Sequence, residues 1–278
     1  ADIDEARSLL AAAGSDERIV AKIERSEAIP RLDEIVQASD AVMVARGDLG
    51  IEVGYAELTG LQKHILQVAR KHDRVTITAT QMMESMIQSP VPTRAEVSDV
   101  ANAVLDGSDA VMLSGESAVG KYPVRAVEAM SEVIVGAEKY QIARNIRGER
   151  FEGRVSEFAQ AIAHAVMYTA NHMAVEAIVA LTESGATPLW MSRIRSDIPI
   201  FAFTRNERTR RRVALYRGVY PIPFDITHTD PAELYKAISR ELIERNFLRS
   251  GDEIILTLGE FSGVSGGTNT MKLLTGNA

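Results

Sequence analysis

VMVARGDLGIE occupies residues 42–52. It opens as an apolar, largely β-branched run. Arg46, Gly47 and Asp48 then follow in direct succession before the apolar residues resume. A strand that is apolar on consecutive residues is covered on both faces, which is the mark of a parallel sheet flanked by helices. Its C-terminal end is where parallel α/β sheets and barrels gather their chemistry. A cation, a side-chain-free backbone and a carboxylate at that end predict an α/β fold with a polar site at its strand ends.

The same pattern recurs outward from this stretch. Strands are predicted at RIVAKIE (18–24), AVMVARG (41–47), RVTITAT (74–80) and DAVMLSG (109–115). Amphipathic helix patterns separate them at 26–39, 56–72 and 93–107, and another follows at 122–140. Such a βαβα series builds a parallel sheet. The polar stretch QIARNIRGERFEGR (141–154) has little periodicity and reads as a linker. A second series follows, with a helix at 155–173 and strands at 177–182, 198–204, 218–224, 252–259 and 269–274. An Arg-rich helix and a helix at 230–247, with Asp230 as N-cap and Pro231 at the first helical position, lie between them. Two domains are predicted, residues 1–144 and 145–278. The second is a three-layer α/β/α domain with a mainly parallel sheet of about five strands.

Composition narrows the function. The 278 residues are 46% hydrophobic and 25% charged, enough for one large core or two ordinary ones. The net charge is −7, so no basic stripe points to nucleic acid; the Arg cluster at 205–217 reads as a solvated face or an anion site. With no cysteine there is neither a disulfide nor a thiolate metal site, which suits a reducing compartment such as the cytoplasm. No run approaches the length of a membrane span, so no membrane partner is expected.

In a strand, residues two apart share a face. Lys22 and Glu24 therefore point together while Ile23 packs oppositely. Arg46 and Asp48 repeat that spacing, and Thr78 and Thr80 end the third strand. Glu24 and Asp48 on neighbouring strand ends suit a hard divalent cation such as Mg²⁺, which takes one or two protein carboxylates and completes its shell with substrate oxygens and water. Lys22 beside them offers a point charge for a phosphate or enolate oxygen. Gly47 admits a close ligand, and a helix turn starting near Leu49 aims amides at an anion. A plain Lys22–Glu24 ion pair fits the same residues. Thr80 suits a β-former, Ser114 and Glu116 suit a turn or helix start, and the methionines of QMMESMI (81–87) suit packing.

VAKIERSEAI, VMVARGDLGIE, the stretch from TATQMMESMI to SGESAVGKYPVRAV, and GGTNTMKLL resemble pyruvate kinase in content and order, with the densest similarity at 19–130. The resemblance implies the last four βα units of a (β/α)8 TIM-type barrel, followed by the family's C-terminal effector-binding domain. It implies phosphoryl transfer from phosphoenolpyruvate to ADP, giving pyruvate and ATP, with Mg²⁺ (or Mn²⁺) and K⁺. By motif position, Lys22 matches the lysine that stabilises the transferring phosphoryl group and the enolate oxygen. Glu24 and Asp48 match the metal-holding carboxylates. The backbone of Ala45, Arg46 and Gly47, with Asp48, matches the site for the substrate carboxylate. Thr80 matches the threonine that places substrate and delivers a proton. In LTESGATP (181–188), Thr182, Ser184, Gly185 and Thr187 match a phosphate-binding effector loop, with 259–269 lying over the same pocket; a turn that simply starts a helix is the plainer reading. Ala186 stands where a basic residue is common, which points away from fructose bisphosphate and toward a sugar or nucleotide monophosphate. The family is usually a homotetramer.

By the family's order the chain begins just before the fifth barrel strand. It therefore reads as a C-terminal fragment with little turnover alone, most of the K⁺ site and the lid domain preceding it. Two other readings fit parts of the pattern: a non-catalytic sugar-phosphate-binding module, and a metal-dependent lyase or aldolase acting through a pyruvate enolate.

Overall fold

The computed structural model describes residues 1–143, 155, 157–225, 231–259 and 267–276. The chain divides into two units, Ala1–Asn145 and Ile146–Ala278, and each is described by itself. Asp230 and residues 260–266 lie outside the described residues, as does most of the stretch read as a linker.

The first unit opens with helix α1 (Asp2–Ala12) and strand β1 (Val20–Ile23). One helix is predicted over 26–39, but the chain makes a 3-10 segment (Ser26–Arg31) and then α2 (Leu32–Ala38). Pro30 explains the break: it has no N–H to donate and its ring clashes with the preceding turn. Strand β2 (Ala41–Ala45) runs directly into α3 (Arg46–Val53). That helix starts three residues before the predicted turn at Leu49 and takes Gly47 and Asp48 into its first turn. Helix α4 (Tyr55–Lys71), β3 (Val75–Ala79), a 3-10 turn at Glu84–Ile87 and α5 (Arg94–Asp106) follow. The unit closes with β4 (Ala110–Met112), the short α6 (Gly115–Ala118) and α7 (Pro123–Ala143).

Helix α5 shows why these segments stop where they do. The Thr93 hydroxyl accepts from the Glu96 amide while the Glu96 carboxylate accepts from the Thr93 amide, a reciprocal box that satisfies two free donors. Gly107 ends the helix at φ 97°, in the left-handed conformation that glycine adopts without strain.

The four strands are parallel in the order β1-β2-β3-β4, each beside its successor in the chain. That sequential order is the one a barrel uses, whereas a doubly wound sheet reverses. One core packs Ile23, Val42 and Val44 against Leu32, Val36, Leu49 and Ile65. Another packs Met82, Met83 and Met86 against Val100, Ala103 and Met130, so these methionines are packing residues. Each fully buried side chain of this size contributes about 1.5–3 kcal/mol.

The second unit comprises α8 (Phe158–Ala170), β5 (Ala177–Leu181), α9 (Ala186–Ser192), β6 (Ile200–Thr204), α10 (Glu207–Val213) and β7 (Val219–Pro223). Then come α11 (Pro231–Glu244), β8 (Glu253–Gly259) and β9 (Thr268–Thr275). The five strands lie in the order β7-β6-β5-β8-β9, all parallel except the β8–β9 pair. Every residue of β5 and β6 is buried, which explains their unbroken apolar runs. From β5 the chain builds outward through β6 and β7, then returns to add β8 on the other side of β5. The β5/β8 boundary is therefore a topological switch point, where open α/β sheets form a crevice beyond the strand ends.

Candidate functional site

The predicted residues of the first unit meet at the C-terminal ends of β1, β2 and β3. Alternation along β1 buries Ile23 and leaves Lys22 and Glu24 together on the other side. Lys22 Nζ pairs with Glu24 Oε2 and lies 3.4 Å from Asp48 Oδ2. The ammonium thus stands between two carboxylates from neighbouring elements. Hydrogen bonding to Glu24, with the charges of Glu24 and Asp48, outweighs desolvation and holds the Lys22 ammonium above its ordinary pKa. Lys22 and Glu24 also border an open cleft of about 640 Å³ against α1 and α2, which Asp48 and Thr80 do not line.

Asp48 arrives through α3. Because the helix begins immediately after β2, its first-turn amides and Asp48 are fixed at the strand end, where an acidic side chain and a bound anion are both favoured. Thr80 arrives from β3. Its hydroxyl accepts from the Gly47 amide at 2.7 Å and donates to the Ala79 carbonyl at 2.7 Å. Thr80 and Gln81 have φ of 67° and 52°, two successive non-glycine residues in the left-handed region. Each such residue costs about 1–2 kcal/mol, and strain of this kind persists only where the surroundings hold it in place.

The side chain of Arg46 does not face the cleft. It is buried, and its guanidinium reaches the carbonyls of Ala79 (3.3 Å), Thr80 (2.8 Å) and Gln81 (3.4 Å), as well as Asp99 Oδ1 (2.6 Å). Sequence pattern gives no sign of this clamp, because its partners lie more than thirty positions away. Glu116, which the sequence suits to a turn, has a wider role. It is buried and accepts from the amides of Ser114 (2.7 Å) and Met83 (3.1 Å), joining the β3 and β4 loops.

The chemistry of the donor set fits Mg²⁺ or Mn²⁺. Glu24 and Asp48 are both solvent-accessible, both are held by one cation, and two carboxylates suffice when substrate and water supply the remaining oxygens. No group of three or more His, Cys, Asp or Glu suited to a metal occurs among the described residues. An all-protein cage is therefore not what these residues form.

In the second unit, Thr182, Ser184, Gly185 and Thr187 sit beyond the C-terminal end of β5, at the switch point. Thr182 Oγ1 accepts from the Gly185 amide at 2.9 Å, and Ser184 Oγ accepts from the Ala186 amide at 3.4 Å. Helix α10 braces the loop from behind: Thr209 Oγ1 donates to the Glu183 carbonyl at 2.6 Å, and Arg212 Nη1 to the Ser184 carbonyl at 3.1 Å. Thr187 is buried in the first turn of α9, and its hydroxyl bonds Thr268 Oγ1 at 2.8 Å.

Comparison with known proteins fits this geometry. Residues 1–127 match the family model "Pyruvate kinase, barrel domain", and residues 160–274 match "Pyruvate kinase, alpha/beta domain". A pyruvate kinase of Buchnera aphidicola subsp. Baizongia pistaciae is 50% identical over 98% of this chain and 57% of its own length. Pyruvate kinase II of Salmonella typhimurium is 50% identical over 99% of this chain and 58% of its own length. A pyruvate kinase of Haemophilus influenzae is 49% identical over 93% and 55%. The chain spans a little over half the length of these relatives. No helix among the described residues is long and apolar enough to cross a membrane.

Proposed function

The chain belongs to the pyruvate kinase family, and we propose that it is the C-terminal part of an enzyme that moves the phosphoryl group of phosphoenolpyruvate to ADP. The observation that carries this reading is the Lys22 ammonium held between Glu24 and Asp48 at two adjacent strand ends. Phosphoryl transfer asks a protein for positioning and charge neutralisation, and this cluster offers both.

Glu24 and Asp48 would hold Mg²⁺ or Mn²⁺, which when bound would supply positive charge for phosphoryl transfer. The Lys22 ammonium is cationic at neutral pH, so it offers fixed charge to the bridging oxygen as that oxygen becomes an enolate. The start of α3, at Ala45, Arg46, Gly47 and Asp48, receives the substrate carboxylate. Thr80, anchored to the Gly47 amide, stands by the enolate carbon and relays the proton that converts enolpyruvate to pyruvate. The family also implies K⁺, to which we assign no residue of this chain.

The second unit serves as an effector domain. Thr182, Ser184, Gly185 and Thr187 form a phosphate-binding loop at the switch point, and Ala186 favours a monophosphate over a bisphosphate. The domains divide at 144/145, the working enzyme is a cytoplasmic homotetramer, and its ligands are small phosphorylated molecules rather than nucleic acid or membrane. Taken alone the chain turns over little substrate, because it spans only a little over half the length of its relatives and supplies only part of the barrel; among the described residues β1 and β4 each have one neighbour, and such open edges favour aggregation.

The test is pyruvate formation from phosphoenolpyruvate and ADP by the full-length protein, beside its Lys22→Met variant. A fast parent and a variant slower by about 10³-fold support the reading, one pre-positioned charge being worth roughly 10²–10³ in rate. A folded parent that forms no pyruvate overturns it.

A further inference from the structure

Thr80 holds an unusual conformation, and the structure shows what maintains it. At φ 67° it is a β-branched residue in the left-handed region, and Gln81 continues there at 52°. Neither residue gains glycine's freedom, so neighbouring groups must fix this turn. The hydrogen bonds converge on α3. The Gly47 amide holds the Thr80 hydroxyl, and the buried Arg46 guanidinium holds three consecutive carbonyls, those of Ala79, Thr80 and Gln81. The Arg46 Nη2 also meets Met82 Sδ at 2.8 Å, and Asp99 Oδ1 at 2.6 Å balances the charge. A planar fork with five donors is suited to such a task, whereas an ammonium cannot span three carbonyls in a fixed plane.

We propose that Arg46 is a positioning residue for proton delivery. Its guanidinium locks the left-handed turn at Thr80 and Gln81 and so keeps the Thr80 hydroxyl, which here accepts from the Gly47 amide and donates to the Ala79 carbonyl, at the strand end where the substrate carbon would lie. This rests on the reading that Thr80 serves the proton step. Arg46 does not touch substrate through its side chain; it acts through Thr80. The carboxylates that would hold the metal, Glu24 and Asp48, are tied separately through Lys22. Loss of the clamp should therefore slow protonation of the enolate much more than it weakens phosphoenolpyruvate binding.

The test is a double-mutant cycle in the full-length enzyme, with Arg46→Met, Thr80→Ala and the pair. Two readouts are followed: the KM for phosphoenolpyruvate, and the exchange of pyruvate methyl protons with solvent, which isolates the proton step. Arg46→Met is expected to slow exchange about 100-fold, the loss typical of a misplaced reacting group, while KM stays within about threefold. The pair is expected to exchange within about threefold of Thr80→Ala alone, because residues acting as one unit are not additive. Arg46→Lys keeps the charge opposite Asp99 but not the fork. It is expected to fall between parent and Arg46→Met, and it carries the same cycle if Arg46→Met does not fold. If Thr80→Ala exchanges at the parent rate, the reading of Thr80 fails and the proposal fails with it. If Thr80→Ala is slow but the two losses multiply, the reading of Thr80 stands and the positioning role of Arg46 is overturned.

Discussion

Gly185→Ala tests the architecture of the loop at the switch point. Gly185 has φ 84°, and an added Cβ would lie 2.8 Å from Val213 Cγ1, closer than real Cβ atoms come. Val213 is fully buried on α10 and cannot swing away. Two penalties therefore add. The left-handed backbone costs a non-glycine residue about 1–2 kcal/mol. Overpacking a filled core costs about 1–3 kcal/mol. A net loss of about 2–5 kcal/mol is expected, a large part of the 5–15 kcal/mol typical of a domain. Trp190, the chain's one tryptophan, lies in α9 just beyond the loop, so its fluorescence reports this unit directly. With a urea slope near 2 kcal/mol per molar, the midpoint should fall by about 1–2.5 M. Gly218→Ala separates the two penalties, because Gly218 has φ 69° but an added Cβ there would meet nothing within 4 Å. Its loss should be about 1 kcal/mol, the conformational part alone. If both variants shift the midpoint equally, or if Gly185→Ala shifts it by less than about 0.3 M, the close packing of the loop on α10 is refuted.

Phe203→Ala should destabilise the second unit by about 3–5 kcal/mol in the same fluorescence titration, because a fully packed aromatic is removed from its core. It also loses an edge-on contact with Phe224 at 5.2 Å; a loss below about 1 kcal/mol would contradict that packing. Glu96→Gln should weaken α5 by about 0.5–1.5 kcal/mol, because Gln can keep the capping-box bond but has one oxygen where the carboxylate accepts from both Ser85 and Thr93 with two. The pH dependence has a definite sign. Burial opposes ionisation of Glu96, but the Ser85 hydroxyl and amide and the Thr93 amide and hydroxyl outweigh it and hold its pKa below the ordinary glutamate value. Its contribution is therefore fully present above the unfolded value near 4.5 and is lost as pH falls through the lower folded value. In thermal melts between neutral pH and pH 3, the parent should lose stability more steeply than Glu96→Gln. Parallel curves would remove Glu96 from the acid response.

What the sequence determined by itself was local. The strands were legible because apolar β-branched runs need cover on both faces. The shared face of Lys22 and Glu24 followed from the period of two along a strand. Motif order supplied the family resemblance that the two domain matches support. Pro30 is visible in the sequence too, yet the amphipathic period continues through it, so the helix predicted over 26–39 runs past the break that the chain makes there. Tertiary structure decided the rest. It placed Asp48 beside Lys22, hung Thr80 on the Gly47 amide, turned Arg46 inward onto the β3 loop and reversed the strand order at β5/β8. Each of these joins residues separated by twenty or more positions. Sequence periodicity fixes which way a side chain leaves its own strand or helix. Which strand ends become neighbours depends on sheet order and register, and those are settled only when the helices pack and the sheet closes its hydrogen bonds.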